Sequence, residues 1–395
     1  MRRHCLTLLL VLLAAAGCHA QPRSGTAGTP LRVGAERLLD AGCDSLRDRT
    51  VAVVANHSSL AGGTHLVDTL RSRGVRVAKI FCPEHGFRGT AAAGAAVKSG
   101  TDPATGLPVV SLYGKNKKPT AAQLRDVEAV LFDLQDVGCR FYTYLSTLHY
   151  VMEACAENDK PLILLDRPNP NGHYVDGPIL DTARFRSFVG MHPVPVVYGM
   201  TIGEYALMIN GEGWLKGGRK CRLTVIPMEG YRRDSVGYEL PVPPSPNLRN
   251  AHAVALYPSL CLFEGTRLSV GRGTDHPFEV VGTPHCRNWK HDTCFGPQRV
   301  PAIAFTPQGG RRCYGMDLRG AATPARLDLS WLIAMHGLTA EGLFFLDSRF
   351  FENLAGTTDL RRQIQEGVPE EAIRDSWRPG LERFLTIRSK YLIYQ

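Results

Sequence analysis

The chain has 395 residues, 44% of them hydrophobic and 21% charged, with a formal net charge of +9. That length is too great for one small core, so two domains are expected. The positive excess is spread along the chain. Its densest cluster, Lys115, Lys117 and Lys118, has no interleaved aromatic residue and reads as a solvated loop, so no nucleic-acid partner is indicated. A mildly basic surface does suit an acidic polymer.

Arg2 and Arg3 precede an apolar run, Leu6–Ala16, of signal-peptide length and too short to span a bilayer permanently. Ala15-Ala16-Gly17-Cys18 then resembles a bacterial lipobox, in which the cysteine is lipidated and becomes the new N-terminus; Ala15 stands where leucine is usual. The expectation is an exported protein, lipid-anchored to the membrane through Cys18 and facing the periplasm. Cleavage after Ala20 is the alternative, and it would leave the protein soluble in the periplasm. Residues 1–20 are thus read as leader and 21–30, rich in Gly, Thr, Ser and Pro, as a flexible tether. Loss of Arg2 and Arg3 takes the charge from +9 to +7.

From residue 50 strand and helix patterns alternate. Val51–Val54, Val77–Cys82, Ala129–Leu134 and Leu162–Leu165 read as buried strands, and His65–Arg73, Ala121–Val127 and Leu145–Glu157 as helices. Such alternation predicts an α/β fold, a mainly parallel Rossmann-like sheet with helices on both faces. The polar motifs fall just after these strands: Asn56-His57, Pro83-Glu84-His85-Gly86, Asp133 with Gln135-Asp136, and Asp166-Arg167. Open α/β sheets form their sites outside the carboxyl ends of strands, so one rim gathers these groups. A nucleotide is poorly supported, because no GxGxxG follows the first strand and no GxxxxGK[ST] occurs.

Val196–Tyr198 and Leu223–Pro227 read as further strands, and Thr201 with Glu204 as a capping box opening a helix over 202–209. The proline-rich Pro241–Asn250 places a domain boundary at 250. Residues 31–250 then form the catalytic sheet domain and 251–395 a smaller α+β domain, with helices over 328–338, 359–365 and 379–391. Cys82, Cys139, Cys155 and Cys261 sit in apolar segments and read as buried thiols. Cys286, Cys294 and Cys313 lie in polar loops, where a disulfide would suit an oxidising compartment. No Cys/His cluster has zinc-ligand spacing, and neither metal nor organic cofactor is indicated.

Eight strings run in order along the mature chain: Phe81–Gly89 (FCPEHGFRG), Thr105–Gly114 (TGLPVVSLYG), Val130–Thr147 (VLFDLQDVGCRFYTYLST), Leu164–Gly172 (LLDRPNPNG), Val197–Tyr205 (VYGMTIGEY), Pro243–Leu248 (PPSPNL), Phe263–Thr274 (FEGTRLSVGRGT) and the tail Ile373–Tyr394. Together they resemble the NamZ family of exo-β-N-acetylmuramidases. The resemblance implies a Rossmann-like domain followed by a smaller one, and a cleft containing Glu84. The implied activity is release of N-acetylmuramic acid from the non-reducing end of peptidoglycan fragments.

Under that reading Glu84 is the general acid, because glycosidic cleavage needs a carboxylic acid at the leaving oxygen. The plain alternative is a loop glutamate paired with Arg88. His85 would tune Glu84 or orient substrate, and Asp133 or Asp136 would supply a second carboxylate. Muramic acid carries a lactyl carboxylate, whose natural reader is a bidentate arginine: Arg88, Arg140, Arg167 or Arg272. Asn56, Tyr142, Asp166 and Glu264 complete the expected substrate-binding set. Asp133 as a cap or turn residue, an Asp166–Arg167 ion pair and Glu264 as interdomain packing are the bland counterparts. The competing class is a non-catalytic envelope lipoprotein that binds peptidoglycan. A serine or zinc hydrolase is disfavoured, since neither GxSxG nor HExxH is present.

Overall fold

The computed structural model describes residues 30–89, 97–286, 293–299 and 307–395. The expected leader, Cys18 and nearly all of the tether lie outside the described residues. In chain order the elements are α1 (Gly34–Asp40), β1 (Thr50–Ala55), β2 (Leu60–Ala61), β3 (Thr64–His65), α2 (Leu66–Ser72), β4 (Arg76–Cys82), β5 (Gly100–Thr101), β6 (Pro108–Ser111), α3 (Ala121–Leu124), β7 (Ala129–Asp133), α4 (Tyr144–Glu157), β8 (Leu162–Leu165), α5 (Thr182–Phe185), α6 (Ile202–Gly211) and β9 (Leu223–Ile226). There follow α7 (Ala251–Leu260), β10 (Val280–Thr283), β11 (Thr293–Phe295), β12 (Cys313–Asp317), α8 (Ser330–Leu338), α9 (Phe350–Ala355), α10 (Asp359–Gln365) and α11 (Glu370–Arg388).

The large sheet runs β5-β6-β4-β1-β7-β8-β9. Every neighbouring pair is parallel except the edge pair β5 and β6. Strand periodicity explains how both faces are covered. Val51, Val53 and Ala55 of β1 point to one side and join α1 and α2 through Leu38, Leu66 and Leu70. Ala52 and Val54 point to the other and join the larger core around Leu145, Leu148 and Met152 of α4. A strand buried on both faces must be apolar throughout, which is why β1, β7 and β8 read as unbroken runs. After β1 the chain builds outward through β4 and β6, then returns to place β7 on the other side of β1. That reversal is a topological switch point, where loops diverge and leave a crevice. The second unit carries an antiparallel sheet, β10-β12-β11, and helices. The α/β class with a smaller mixed domain is therefore the observed architecture.

Some local expectations are corrected. Val197 makes only isolated bridges, to Cys139 and Asp176, so 196–198 is no strand of the sheet. Helix α11 begins at Glu370, well before the predicted Pro379, and carries that proline in its interior. Burial of Ile373, Trp377 and Phe384 on one face outweighs the backbone hydrogen bond that the proline removes. Pro258 sits inside α7 in the same way, a helix the sequence reading did not assign. Lys118 is no solvated loop residue: it pairs with Glu153 and Glu157 of α4. Cys286, Cys294 and Cys313 are free thiols in the structure.

Candidate active site

Glu84 leaves the carboxyl end of β4 through a tight turn. The Gly86 amide donates to the Pro83 carbonyl at 3.1 Å, and His85 is held at a φ of 71°. A non-glycine residue in the left-handed region is uncommon, and such strain is maintained where surroundings over-determine it. The turn aims Glu84 at the start of α4. Thr143 occupies the N-cap of that helix, but its hydroxyl makes no capping bond. Instead it donates to Glu84 Oε2 at 2.8 Å. The Tyr113 phenol, from the loop after β6, lies beside Glu84; burial first, then this neighbouring carboxylate, raise the phenol's pKa. A carboxyl group is thus fixed by the Thr143 hydroxyl at a helix N-terminus, where the backbone carries partial positive charge.

Glu84 and His85 line a cavity of about 710 Å³. Its walls come from both units. Tyr113, Tyr142, Thr143 and Phe188 belong to the first, and Tyr257, Glu264, Arg272 and Phe278 to the second. The aromatic wall is internally braced: Tyr142 and Tyr144 meet edge to face at 4.7 Å, as do Tyr257 and Phe278 at 5.0 Å. The Tyr142 hydroxyl donates to the Pro244 carbonyl at 2.8 Å, and a His57 ring nitrogen lies 2.8 Å from the Pro243 carbonyl. The proline-rich connector is therefore pinned across the rim. The volume and lining suit one or a few sugar rings, whose apolar faces stack on aromatic side chains.

The remaining strand-end residues are used differently. Asp133 is fully buried and takes both Arg167 contacts, at 2.5 and 2.8 Å, and Arg167 also donates to the Leu60 carbonyl. Asp166 accepts from the Thr201 and Tyr394 hydroxyls at 2.7 Å each and from the Gly203 amide at 2.8 Å, closing the start of α6 and docking the chain's tail. Asn56 accepts from the Ser58 amide and donates to the Tyr144 hydroxyl at 2.7 Å, so it supports the aromatic wall from behind. Asp136 is buried under Tyr198 and the Gly138 amide, and its Oδ1 has no partner. None of Asn56, Asp133, Asp136, Asp166 or Arg167 is among the lining residues. Of the carboxylates expected to act on substrate, the cavity brings together Glu84 and Glu264.

All four arginines considered for carboxylate recognition are engaged. Arg88 makes a bidentate pair with Asp102, at 3.0 and 2.7 Å, rather than pairing with Glu84, and stacks over Phe87. Arg140 donates to four backbone carbonyls and Arg167 holds Asp133. Arg272 alone lines the cavity. It pairs with Glu264 at 2.5 Å and lies 5.0 Å over the Phe278 ring. Tyr113, Lys117, Thr143, Phe188 and Tyr257 are lining residues that the sequence reading left out. The signal for Tyr113 was present: it follows a β-branched run, Val109-Val110, as Glu84 follows its own strand.

Burial raises the Asp136 carboxyl to about 6, against the stabilising bonds from Tyr198 and Gly138. Below pH 4 this group is protonated in folded and unfolded chains alike. Between about pH 4 and 6 the unfolded chain releases the proton while the folded one keeps it, so stability is lost as pH rises. A shift of this size corresponds to up to about 3 kcal/mol. Asp136→Asn should therefore gain on the wild type across that window and run parallel to it above pH 7, whatever constant offset the amide adds. Denaturant unfolding at pH 4, 5, 6 and 7.5 measures this; a pH-independent difference would refute it.

Two family models match the chain in tandem. Exo-beta-N-acetylmuramidase NamZ, N-terminal, covers residues 51–252, and the corresponding C-terminal model covers 255–394. The chain is 37% identical over 404 aligned residues to the peptidoglycan beta-N-acetylmuramidase NamZ of Bacillus subtilis, covering 97% of this chain and 96% of the relative. Two crystal structures of DUF1343 family proteins from Bacteroides fragilis share the fold. One superposes with a TM-score of 0.83 at 42% identity, covering 93% of this chain and 99% of the other. The second has a TM-score of 0.78 at 27% identity, covering 92% and 99%. With both of its units matched and a relative aligned along nearly its whole length, the chain belongs to the NamZ family of exo-β-N-acetylmuramidases.

Proposed function

We propose that this protein is an exo-acting glycoside hydrolase that releases N-acetylmuramic acid from the non-reducing end of peptidoglycan fragments, with Glu84 as general acid and base. One observation carries the reading. Glu84 is held by the Thr143 hydroxyl, beside the Tyr113 phenol, in the wall of an aromatic-lined cavity, in a chain that aligns end to end with a peptidoglycan β-N-acetylmuramidase. The Glu84 carboxyl gives its proton to the glycosidic oxygen as the bond from that oxygen to the sugar C1 breaks. Water supplies the hydroxyl that C1 gains, and its proton returns to Glu84. Tyr113 and Thr143 keep the carboxyl aimed, and the flanking rings hold the sugar.

The test is an assay of the purified mature protein on a chromogenic β-N-acetylmuramide beside the matching N-acetylglucosaminide. Cleavage of the muramide alone is the expected result. A folded protein that turns over neither the muramide nor short glycan fragments would sink the reading and favour a binding protein. Export and lipid anchoring through Cys18 belong to the same proposal and are supported by the leader-like sequence. Incorporation of labelled fatty acid, abolished in Cys18→Ala, is the expected outcome; equal labelling of both proteins would exclude the anchor.

A further inference from the structure

We infer that Lys117 is the residue that reads the lactyl carboxylate of the muramic acid ring, an assignment that rests on the function proposed above. The substrate carries one negative charge that an N-acetylglucosamine residue lacks, and a cation facing the sugar discriminates between the two. Every arginine anticipated for this role already has an anionic or carbonyl partner. Arg272, the one of them that lines the cavity, is neutralised by Glu264 at 2.5 Å. A paired charge offers an incoming carboxylate little net attraction.

Lys117 differs on each count. It lines the same cavity as Glu84. Among the described residues its ammonium has no carboxylate partner, and it lies 4.9 Å over the Phe188 ring. That contact orients the ammonium without neutralising it. Nor is the loop loosely placed. Tyr113, at its start, lies beside Glu84 and packs 5.8 Å from Phe188. Asn116 donates to the Ser111 carbonyl at 2.8 Å, and Lys118 is fixed to Glu153 of α4 at 2.7 Å. Lys117 is thus held between two anchored neighbours, on the loop that also places Tyr113 beside the catalytic carboxyl. A cation fixed before binding loses less entropy when the ligand arrives. The same segment then sets both the chemistry and the choice of sugar.

The experiment compares wild type, Lys117→Met and Lys117→Arg on three chromogenic substrates: the β-N-acetylmuramide, its lactyl methyl ester and the glucosaminide. Thermal melting of each protein verifies the fold. For the muramide, Lys117→Met should raise KM about 10- to 100-fold, the range of one lost charge-assisted hydrogen bond, with kcat within about threefold. For the neutral ester KM should change less than about threefold, and Lys117→Arg should restore most of the affinity for the acid. An unchanged KM for the muramide, or an equal loss on acid and ester, would overturn the assignment while leaving the glycosidase reading intact. A wild type inactive on the muramide would remove that reading, and this one with it.

Discussion

Glu84→Gln is expected to lower kcat on the muramide roughly 1,000-fold, within the range that a positioned acid–base group supplies. The amide keeps the size of the side chain and still accepts the Thr143 hydroxyl through its oxygen, so the turn after β4 and the N-terminus of α4 need not rearrange. What it removes is the acidic proton. The expected signature is therefore a loss in kcat with little change in KM and a melting temperature close to that of the wild type. Activity kept within about tenfold would exclude Glu84 as the general acid. A matching loss of thermal stability would instead mark it as structural.

The second large effect concerns stability. Arg140 is fully buried, and its guanidinium donates to the carbonyls of Pro178, Val194, Leu354 and Ala355 at 2.7–2.8 Å. Leu354 and Ala355 end α9, so the cation closes the negative end of a helix in the second unit from a position on the first. Burial lowers its pKa to about 10, which leaves it charged at neutral pH. Arg140→Leu removes a donor from four buried carbonyls at once, of which only that of Val194 keeps another bond, from the Leu180 amide. Breaking such a network costs about 3–5 kcal/mol, and the melting temperature should fall by roughly 6–10 °C. Arg140→Lys should lie between, because an ammonium has three donors and no planar fork. A fall of less than about 2 °C for the leucine variant, measured by calorimetry, would show that the interface does not depend on this residue. This position was expected to bind substrate; the structure gives it the joint between the units.

Much of the fold was legible because its strands announce themselves. Runs such as Val51–Val54 and Leu162–Leu165 have no polar face, and only a sheet covered on both sides hides such a run. The capping box at Thr201 and Glu204 was equally local: the Glu204 amide donates to the Thr201 hydroxyl, as the spacing predicted. The place of Glu84 followed from the same logic, since a polar residue after a buried strand of an open sheet stands at the rim. Local rules failed where one proline was read as a boundary. Pro258 and Pro379 each sit within a helix whose apolar face is buried deeply enough to override the lost hydrogen bond.

Sequence by itself determined which residues reach the rim, and the family strings named the chemistry. It could not determine which of those residues look into the cavity and which look away from it. Asp133, Asp136 and Asp166 have the right type and the right place in the chain, yet partners from distant segments hold them: Arg167, Tyr198 and Tyr394. Thr143 carries no signal beyond its own string and Lys117 lies in none of them; the two enter the site through the start of α4 and the loop after β6. The physical reason is that strand position depends on periodicity over a few residues. Whether a carboxylate is spent on a salt bridge or left for substrate depends on donors as far as 228 positions away, as for Asp166 and Tyr394, and only the folded chain brings those together.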